Sequence, residues 1–322
     1  MIRKIIIISL DNLGDTVFAS SVVSPLKQAF PEAEIHLFSK EYSSGIAPLI
    51  SGLTGSFSAD PFWDTSPYRS NGGMIPFLSA LKKAHHQNFD LALSLSHAWR
   101  EYLCAKLCAR SVLALQEKPN PERPVLELLS QMLKSLGMNV TLRCELNETP
   151  LLERKNRIRS HIGNFSPIAA LHPFAGDRRR CVNIKEWKEV AEKIKERGFF
   201  ALWIGVNAEL EQLRLEVGQS PTHAFIDQIG DGSVQDLAAA LSLASFFIGH
   251  DSGPLHLANA LGTPVLGIYT PGQPQRTFPQ GRGIWEMLTR PSPQNVRASD
   301  IISVLEKLLR HQILDAKGSN EA

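Results

Sequence analysis

Short apolar runs alternate with amphipathic stretches along the whole chain, and that alternation constrains the fold more than any other feature. Lys4 to Leu10 is a β-branched run. Glu34 to Ser39 and Asp90 to Ser96 repeat it, as do Ile168 to His172, Phe199 to Ile204, Phe246 to Ile248 and Pro264 to Tyr269 in the second half. Runs of this length, bounded by Gly, Pro or Asp, read as buried strands. Helical spacing fills the intervals, from about Asp15 to Phe30, Met74 to His85, Glu101 to Ala109, Val125 to Leu136, Ile184 to Arg197, Glu209 to Val217, Val234 to Ala244, Leu255 to Leu261 and Asp300 to Leu314. A strand–helix–strand order demands parallel pairing and right-handed crossovers. The expected architecture is therefore α/β, with two doubly wound Rossmann-like domains facing a central cleft. Residues 1–160 and 161–322 are the expected domains, the last helix, 300–314, packing back on the first. Ser43 to Gly73, rich in Ser, Gly and Pro, reads as a long loop with a short helix near Ile46 to Ile50.

Composition removes several alternatives. Of the 322 residues 43% are hydrophobic and 20% charged, which excludes a disordered chain. The four-isoleucine run Ile5 to Ile8 is far short of the roughly 20 residues that span a bilayer. Asp11 and Asp15 follow it at once, so no secretory signal is read and a cytoplasmic location is expected. With 34 basic against 32 acidic side chains, no nucleic-acid partner is expected from bulk charge. The balance is uneven between 151 and 182, where seven basic residues meet only Glu153 and Asp177. That excess points to an anionic ligand, or to a solvated linker helix at Arg154 to Arg159. Cys104, Cys108, Cys144 and Cys181 are too sparse for a disulfide framework and read as structural thiols. No metal-ligand spacing is complete, so no metal is expected.

Four constellations could carry chemistry. Gly14 and Asp15 follow the first strand. Gly14 permits a tight turn or a close ligand, and Asp15 either caps the helix, at about 1 kcal/mol, or acts as a general base. Gly176, Arg178, Arg179 and Arg180 follow the strand at Ile168 to His172. Backbone N–H groups with guanidinium forks suit a diphosphate, Gly176 allowing an unusual backbone angle. Asp251, Ser252, Gly253 and His256 open a helix whose free N–H groups would bind an anion, with Asp251 turned to a sugar or ribose hydroxyl or capping the helix. Glu209, at the end of another strand, either faces ribose hydroxyls or sits in a first helical turn. The absence of Gly-x-Gly-x-x-Gly after the first strand argues against a nicotinamide oxidoreductase.

Together, and in this order, these motifs resemble the bacterial lipopolysaccharide heptosyltransferases, glycosyltransferase family 9. The most specific element is Asp251-Ser252-Gly253-Pro254-Leu255-His256-Leu257-Ala258, similar to the family's Asp-Ser/Thr-Gly-x-x-His-x-x-Ala. The resemblance implies a GT-B fold and a metal-independent, inverting transfer with no cofactor, usually of heptose from ADP-heptose to the lipopolysaccharide inner core. It matches Asp15 to the proposed base and Arg179 or Arg180 to the residue on the diphosphate. Glu209 would face the ribose or adenine, and Ser252, Gly253 and His256 would contact phosphate and sugar. It makes the N-terminal domain the acceptor domain and the C-terminal one the donor domain. The chain departs from the pattern at Ser9-Leu10-Asp11, where the family has an Arg, at Phe174-Ala175, and at Cys181, where it has Trp. Expected partners are a nucleotide-sugar donor and a lipopolysaccharide core or other glycolipid acceptor. Candidate acceptor contacts are Arg69, Lys82, Lys83, His85, His86 and Arg100. Peripheral contact with the inner membrane is compatible with the chain, although no strongly basic amphipathic helix demands it. The alternatives are transfer of another nucleotide-activated sugar and a nucleotide-sugar binding protein without transfer.

Overall fold

The structure is a computed structural model that describes residues 2–65, 73–115, 120–163, 167–218 and 223–318. The chain forms two compact units, Met1–Asn147 and Glu148–Ala322. In the first, β1 (Lys4–Ser9), β2 (Glu34–Ser39), β3 (Gly55–Ser58), β4 (Phe89–Ser94) and β5 (Ala109–Ala114) form one parallel sheet in the order β3-β2-β1-β4-β5. Its helices are α1 (Leu13–Ser20), α2 (Val23–Ala29), α3 (Met74–His85), α4 (Trp99–Cys108) and α5 (Val125–Lys134). Ile5 to Ile8 are fully buried because β1 is central and both its faces are covered.

The second unit begins with α6 (Leu152–Ile162) and continues with β6 (Ile168–His172), α7 (Ile184–Glu196), β7 (Phe200–Trp203), α8 (Asn207–Val217), β8 (His223–Phe225), α9 (Ile226–Ile229) and α10 (Val234–Leu243). It ends with β9 (Phe246–His250), α11 (Gly253–Ala260), β10 (Val265–Tyr269), α12 (Pro274–Thr277), β11 (Trp285–Thr289) and α13 (Ala298–Gly318). The sheet order is β11-β10-β9-β6-β7-β8, again all parallel. α7 buries Trp187, Val190 and Ile194, and α13 buries Ile301, Leu305 and Leu308, each an i, i+3/i+4, i+7 stripe. α13 packs on β10, β11 and α7 of its own unit. Glu186 of α7 accepts the Ala298 N–H at 2.8 Å, tying the start of α13 in place.

The sheet orders reverse direction at one point each. In the first, the chain builds outward from β1 to β3 and then returns to place β4 on the other side of β1. In the second, it builds from β6 to β8 and returns to place β9 beside β6. The loops after β1 and β4, and those after β6 and β9, therefore splay apart and leave crevices at the strand ends.

Several expectations are corrected. The helix expected from Asp15 to Phe30 is two helices. Pro25, in the first turn of α2, lacks the N–H an unbroken helix would need, and Ser20 and Ser21 turn their hydroxyls to Val17 and Phe18 carbonyls at 2.6 and 2.7 Å. Part of the expected loop 43–73 is β3, and β8 and β11 were not anticipated; β3 and β8 are only four and three residues long. The division falls at 147/148 rather than 160, because α6 belongs to the second unit, where Ile158 and Ile162 are buried.

The basic run on α6 divides: Arg154 and Arg157 pair with acids of their own unit, whereas Arg159 is exposed, as a solvated helix face requires. The Asp236 carboxylate, fully buried on α10, takes Arg154 at 2.5 Å and is also paired with Arg157. Arg154 reaches Asp231 at 3.0 Å as well. Removing one partner of a buried pair typically costs about 3–5 kcal/mol. Asp236→Ala is expected to destabilise the second unit by that order and Arg157→Ala, on a partly exposed arginine, by much less, as measured by urea denaturation followed by tryptophan emission.

Candidate functional site

The residues singled out by sequence gather at the two crevices, one in each unit. In the first unit, β1 ends at Ser9 and α1 starts with Asn12 as its N-cap residue. Asp15 occupies the third helical position and its Oδ2 accepts the Asn12 N–H at 3.1 Å. The capping role left open by the sequence is thus taken by Asp15 from inside the helix, while the side chain stays solvent-exposed. Gly14 is buried in the first turn of α1 and its φ is not positive, so the tight turn expected of it falls at Asp11 and Asn12. Tyr42 braces the turn, its hydroxyl accepting the Leu13 N–H at 2.8 Å.

Asp15 lines a small concavity, open to solvent, with Ser9, Asp11, Leu95, Ser96 and Glu101. Glu101 was not found from sequence. It lies on α4, 3% exposed, and its two carboxyl oxygens accept the Leu10 N–H and the Ser96 N–H, each at 3.1 Å. One side chain thereby ties the loop after β1 to the loop after β4. Burial, followed by the nearby Asp11, raises its pKa to about 8 against the two N–H donors, and Asp15 adds to the rise. The signal was present: Glu101 stands three and seven residues before Cys104 and Cys108, on the buried face of α4.

In the second unit, the Asp177–Cys181 loop after β6 and the Asp251–Ser252 loop after β9 meet. The three arginines separate into different roles. Arg179, with an 89% exposed side chain, is chelated by Asp177 through Nε at 3.0 Å and Nη2 at 2.7 Å. Those bonds hold Asp177 down to about 2. Arg180 turns inward to Asp251 Oδ2 at 2.8 Å, and its carbonyl accepts the Thr270 hydroxyl at 2.7 Å. Arg178 is exposed and has no hydrogen-bond partner among the described residues; it lies near Glu209, whose electrostatic environment it alters. Gly176 is exposed with open space at its Cβ position and no positive φ, so the unusual backbone angle expected there is absent.

Asp251 does not cap α11 and is not presented to solvent. At 12% side-chain exposure it also accepts the Thr277 hydroxyl at 3.1 Å and lies 3.4 Å from His256 Nε2. Burial pushes its pKa up, but the bond from His256 and the Arg180 guanidinium outweigh that and leave it below the usual value. Thr277 was not anticipated, because no local pattern marks a residue reaching back from α12. Ser252 is the N-cap residue of α11, yet its hydroxyl goes to the His250 carbonyl at 3.0 Å and lies 3.3 Å from His172 Nδ1. The first turn, starting at Gly253, therefore has no side-chain cap. An uncapped helix start offers backbone N–H groups to an anion.

The two histidines beneath this turn are neutral at physiological pH. Burial lowers His172 to about 3, with His250 contributing, and lowers His250 to about 4, with Arg180 contributing. His250 Nε2 accepts the Val182 N–H at 3.2 Å, which fixes the proton on Nδ1. Glu209 reaches back to the Val206 N–H at 3.1 Å from the third position of α8; burial raises its pKa despite that bond. Glu209 and Asp15 thus occupy equivalent places, one in each unit. Among the described residues no group of three His, Cys, Asp or Glu could hold a metal ion. Of the expected acceptor contacts, Lys82, Lys83, His85 and His86 are exposed on or just after α3, and Arg69 lies outside the described residues. Arg100 stacks over Trp99 and Trp63, 5.0 and 5.8 Å from the ring centres.

Comparison with known proteins gives the family and the fold. The chain is 23% identical to the lipopolysaccharide core heptosyltransferase OpsX of Haemophilus influenzae over 293 residues, which is 86% of this chain and 82% of that protein. A glycosyltransferase family 9 structure from Veillonella parvula superposes with a TM-score of 0.79 at 17% identity, over 96% of this chain and 97% of the other. The ADP-heptose lipopolysaccharide heptosyltransferase II of E. coli gives 0.78 at 13% identity, over 96% and 99%. The fold is accordingly GT-B. The profile of glycosyltransferase family 9 (heptosyltransferase) matches residues 126–300, more than half of the chain and the whole of the crevice at β6 and β9, and the chain belongs to that family.

Proposed function

We propose that this glycosyltransferase moves heptose from ADP-heptose to the inner core of lipopolysaccharide with inversion at the anomeric carbon. The second unit would hold the donor and the first the acceptor. The observation that carries the reading is the uncapped start of α11, set beside His256 and Arg180 at the reversal point of the second sheet. A diphosphate leaving the anomeric carbon gains negative charge. The N–H groups of α11, His256 and Arg178 are disposed to stabilise it, and preorganised donors of this kind are among the largest sources of catalysis. Arg180 would act through Asp251, which in turn orients His256. Glu209, half-buried and near Arg178, would meet the nucleoside. The relatives named above support ADP-heptose and lipopolysaccharide as donor and acceptor.

In the displacement, the acceptor oxygen forms the new bond to the anomeric carbon while the bond to the ADP oxygen breaks. The acceptor proton passes to Asp15. For that step Asp15 must exchange its bond to the Asn12 N–H for one to the acceptor hydroxyl, or share its carboxylate between them. Burial raises the Glu101 pKa to about 8, which favours its neutral form and lessens the charge beside the base. If Asp15 serves only as a cap, the protein binds nucleotide sugars without transfer.

Three expected outcomes follow from this reading. Calorimetry with ADP, UDP, GDP and CDP should show selective ADP binding, weakened more than tenfold by Arg178→Ala or His256→Ala; a preference for UDP or GDP overturns the donor. Asp15→Asn should lower kcat by about 10²–10⁴ while leaving the Kd for ADP unchanged; undiminished turnover reduces Asp15 to a helix cap. Glu101 supplies a pH test. Its folded pKa near 8 exceeds the value of about 4.3 expected in the unfolded chain, so its contribution to stability is full below that value and lost as pH rises towards 8. Glu101→Gln, which cannot ionise, should lack this decline. The stability difference between the parent and this variant, measured by urea unfolding, should shift against the parent from pH 5 to 8; a constant difference would mean that Glu101 is ionised throughout.

A further inference from the structure

Fourteen large hydrophobic side chains are exposed among the described residues, and eight of them fall between Phe62 and Leu107 in the first unit. They are not scattered. Ile75 and Leu78 lie on the outer face of α3, 80% and 47% exposed, and Trp99, Leu103 and Leu107 form an i, i+4, i+8 stripe on α4, 67%, 49% and 47% exposed. The two helices are neighbours. Phe77, Leu81 and Ala84 of α3 share a core cluster with Cys104, Ala105 and Cys108 of α4, and His85 Nδ1 lies 2.5 Å from the Leu107 carbonyl. With their inner faces in one core, their outer faces form one surface. Contiguous exposed apolar surface of this kind marks an interaction site.

Charge identifies the partner. Lys82 and Lys83 on α3, and Arg100 and Lys106 on α4, are all exposed. α3 contains no acidic residue, and the only one on α4, Glu101, is buried on the opposite side. The face is therefore apolar and cationic with no exposed carboxylate on either helix. Lys106 lies 5.7 Å from the Tyr102 ring centre, and Arg100 covers two tryptophans. Aromatic rings, leucines and long cationic stems together suit the boundary between acyl chains and anionic headgroups, where apolar bodies enter and charged tips stay wet.

We propose that the outer faces of α3 and α4 bind the surface of an anionic lipid bilayer. The inference rests on the reading of the acceptor as a glycolipid, and α4 links the two. Its inner face carries Glu101 in the concavity of Asp15, and its outer face carries Trp99, Leu103 and Leu107. An acceptor whose acyl chains remain in the bilayer would present its sugar to the loop after β4 while α4 rests on the lipid.

The test uses the purified full chain and vesicles, with no donor or acceptor. It should float with vesicles of phosphatidylcholine mixed with phosphatidylglycerol and not with phosphatidylcholine alone. Binding should shift tryptophan emission to the blue, and Trp99→Phe should remove most of that shift. Lys82→Ala with Lys106→Ala should weaken binding more than tenfold, at roughly fivefold per cation. Ile75→Ser with Leu103→Ser should abolish it while leaving turnover on a deacylated acceptor in solution at the parent level. No flotation, equal flotation with both vesicles, or unaltered binding by both double variants overturns the proposal. So does a dimer of the parent that Ile75→Ser with Leu103→Ser dissociates, since the face would then join two copies. Vesicle binding by a chain that transfers no sugar would overturn the transferase reading and leave this surface standing.

Discussion

Parallel strand pairing is the constraint on which the rest of this molecule depends. A parallel sheet covered on both faces consigns its central strands to burial, as the sequences of β1, β6, β9 and β10 show, and leaves chemistry to the strand ends. Because β1 pairs with β4 and β6 with β9, two crevices arise where the sheet order reverses. Asp15 and Glu101 descend from the first, and Arg180, Asp251, Ser252 and His256 from the second. Their proximity owes nothing to nearness in sequence, since 71 residues separate Arg180 from the Asp251 carboxylate it meets.

The strand and helix pattern made the α/β architecture legible, because period and burial act locally. The short strands β3 and β8 escaped because three or four residues carry too little pattern, and β11 because only one of its residues is deeply buried. The helix break at Ser21 was legible in principle from Pro25, but the amphipathic pattern ran through it. Motif order located both crevices, since glycine, proline and acidic residues at strand ends are strong local signals. Partner choice was not legible. Nothing in Arg178-Arg179-Arg180 says that the second is chelated by Asp177 and the third turned inward to Asp251. Glu101 was hidden for a related reason, its role being set by two N–H groups in loops from other parts of the chain.

Charge is used sparingly in the second crevice. Asp251 meets Arg180, Thr277 and His256 together, so much of its charge is spent internally. His172 and His250 carry none at physiological pH. Attraction for a phosphate would then come mainly from backbone dipoles at α11 and from the Arg178 guanidinium, Arg179 being chelated by Asp177. Such dipoles are fixed before a ligand arrives and need no reorganisation. Pairing of a buried acid with a buried base keeps that arrangement rigid even when each group alone would be costly to bury.

The placement of α6 has a consequence for how the chain can be divided. Asn147 is still anchored to the first unit, its N–H bound to the Leu49 carbonyl at 2.7 Å, whereas Lys155 already reaches back to Glu148 at 2.9 Å and Arg154 to Asp236. A fragment beginning at residue 161 would lack both arginines and leave the Asp236 carboxylate buried among vacated space. The companion fragment would carry an unpartnered helix exposing Ile158. Expression of either half alone therefore has a natural cut only at the Asn147–Glu148 peptide bond, where the chain passes from one hydrogen-bonded body to the next within a single residue.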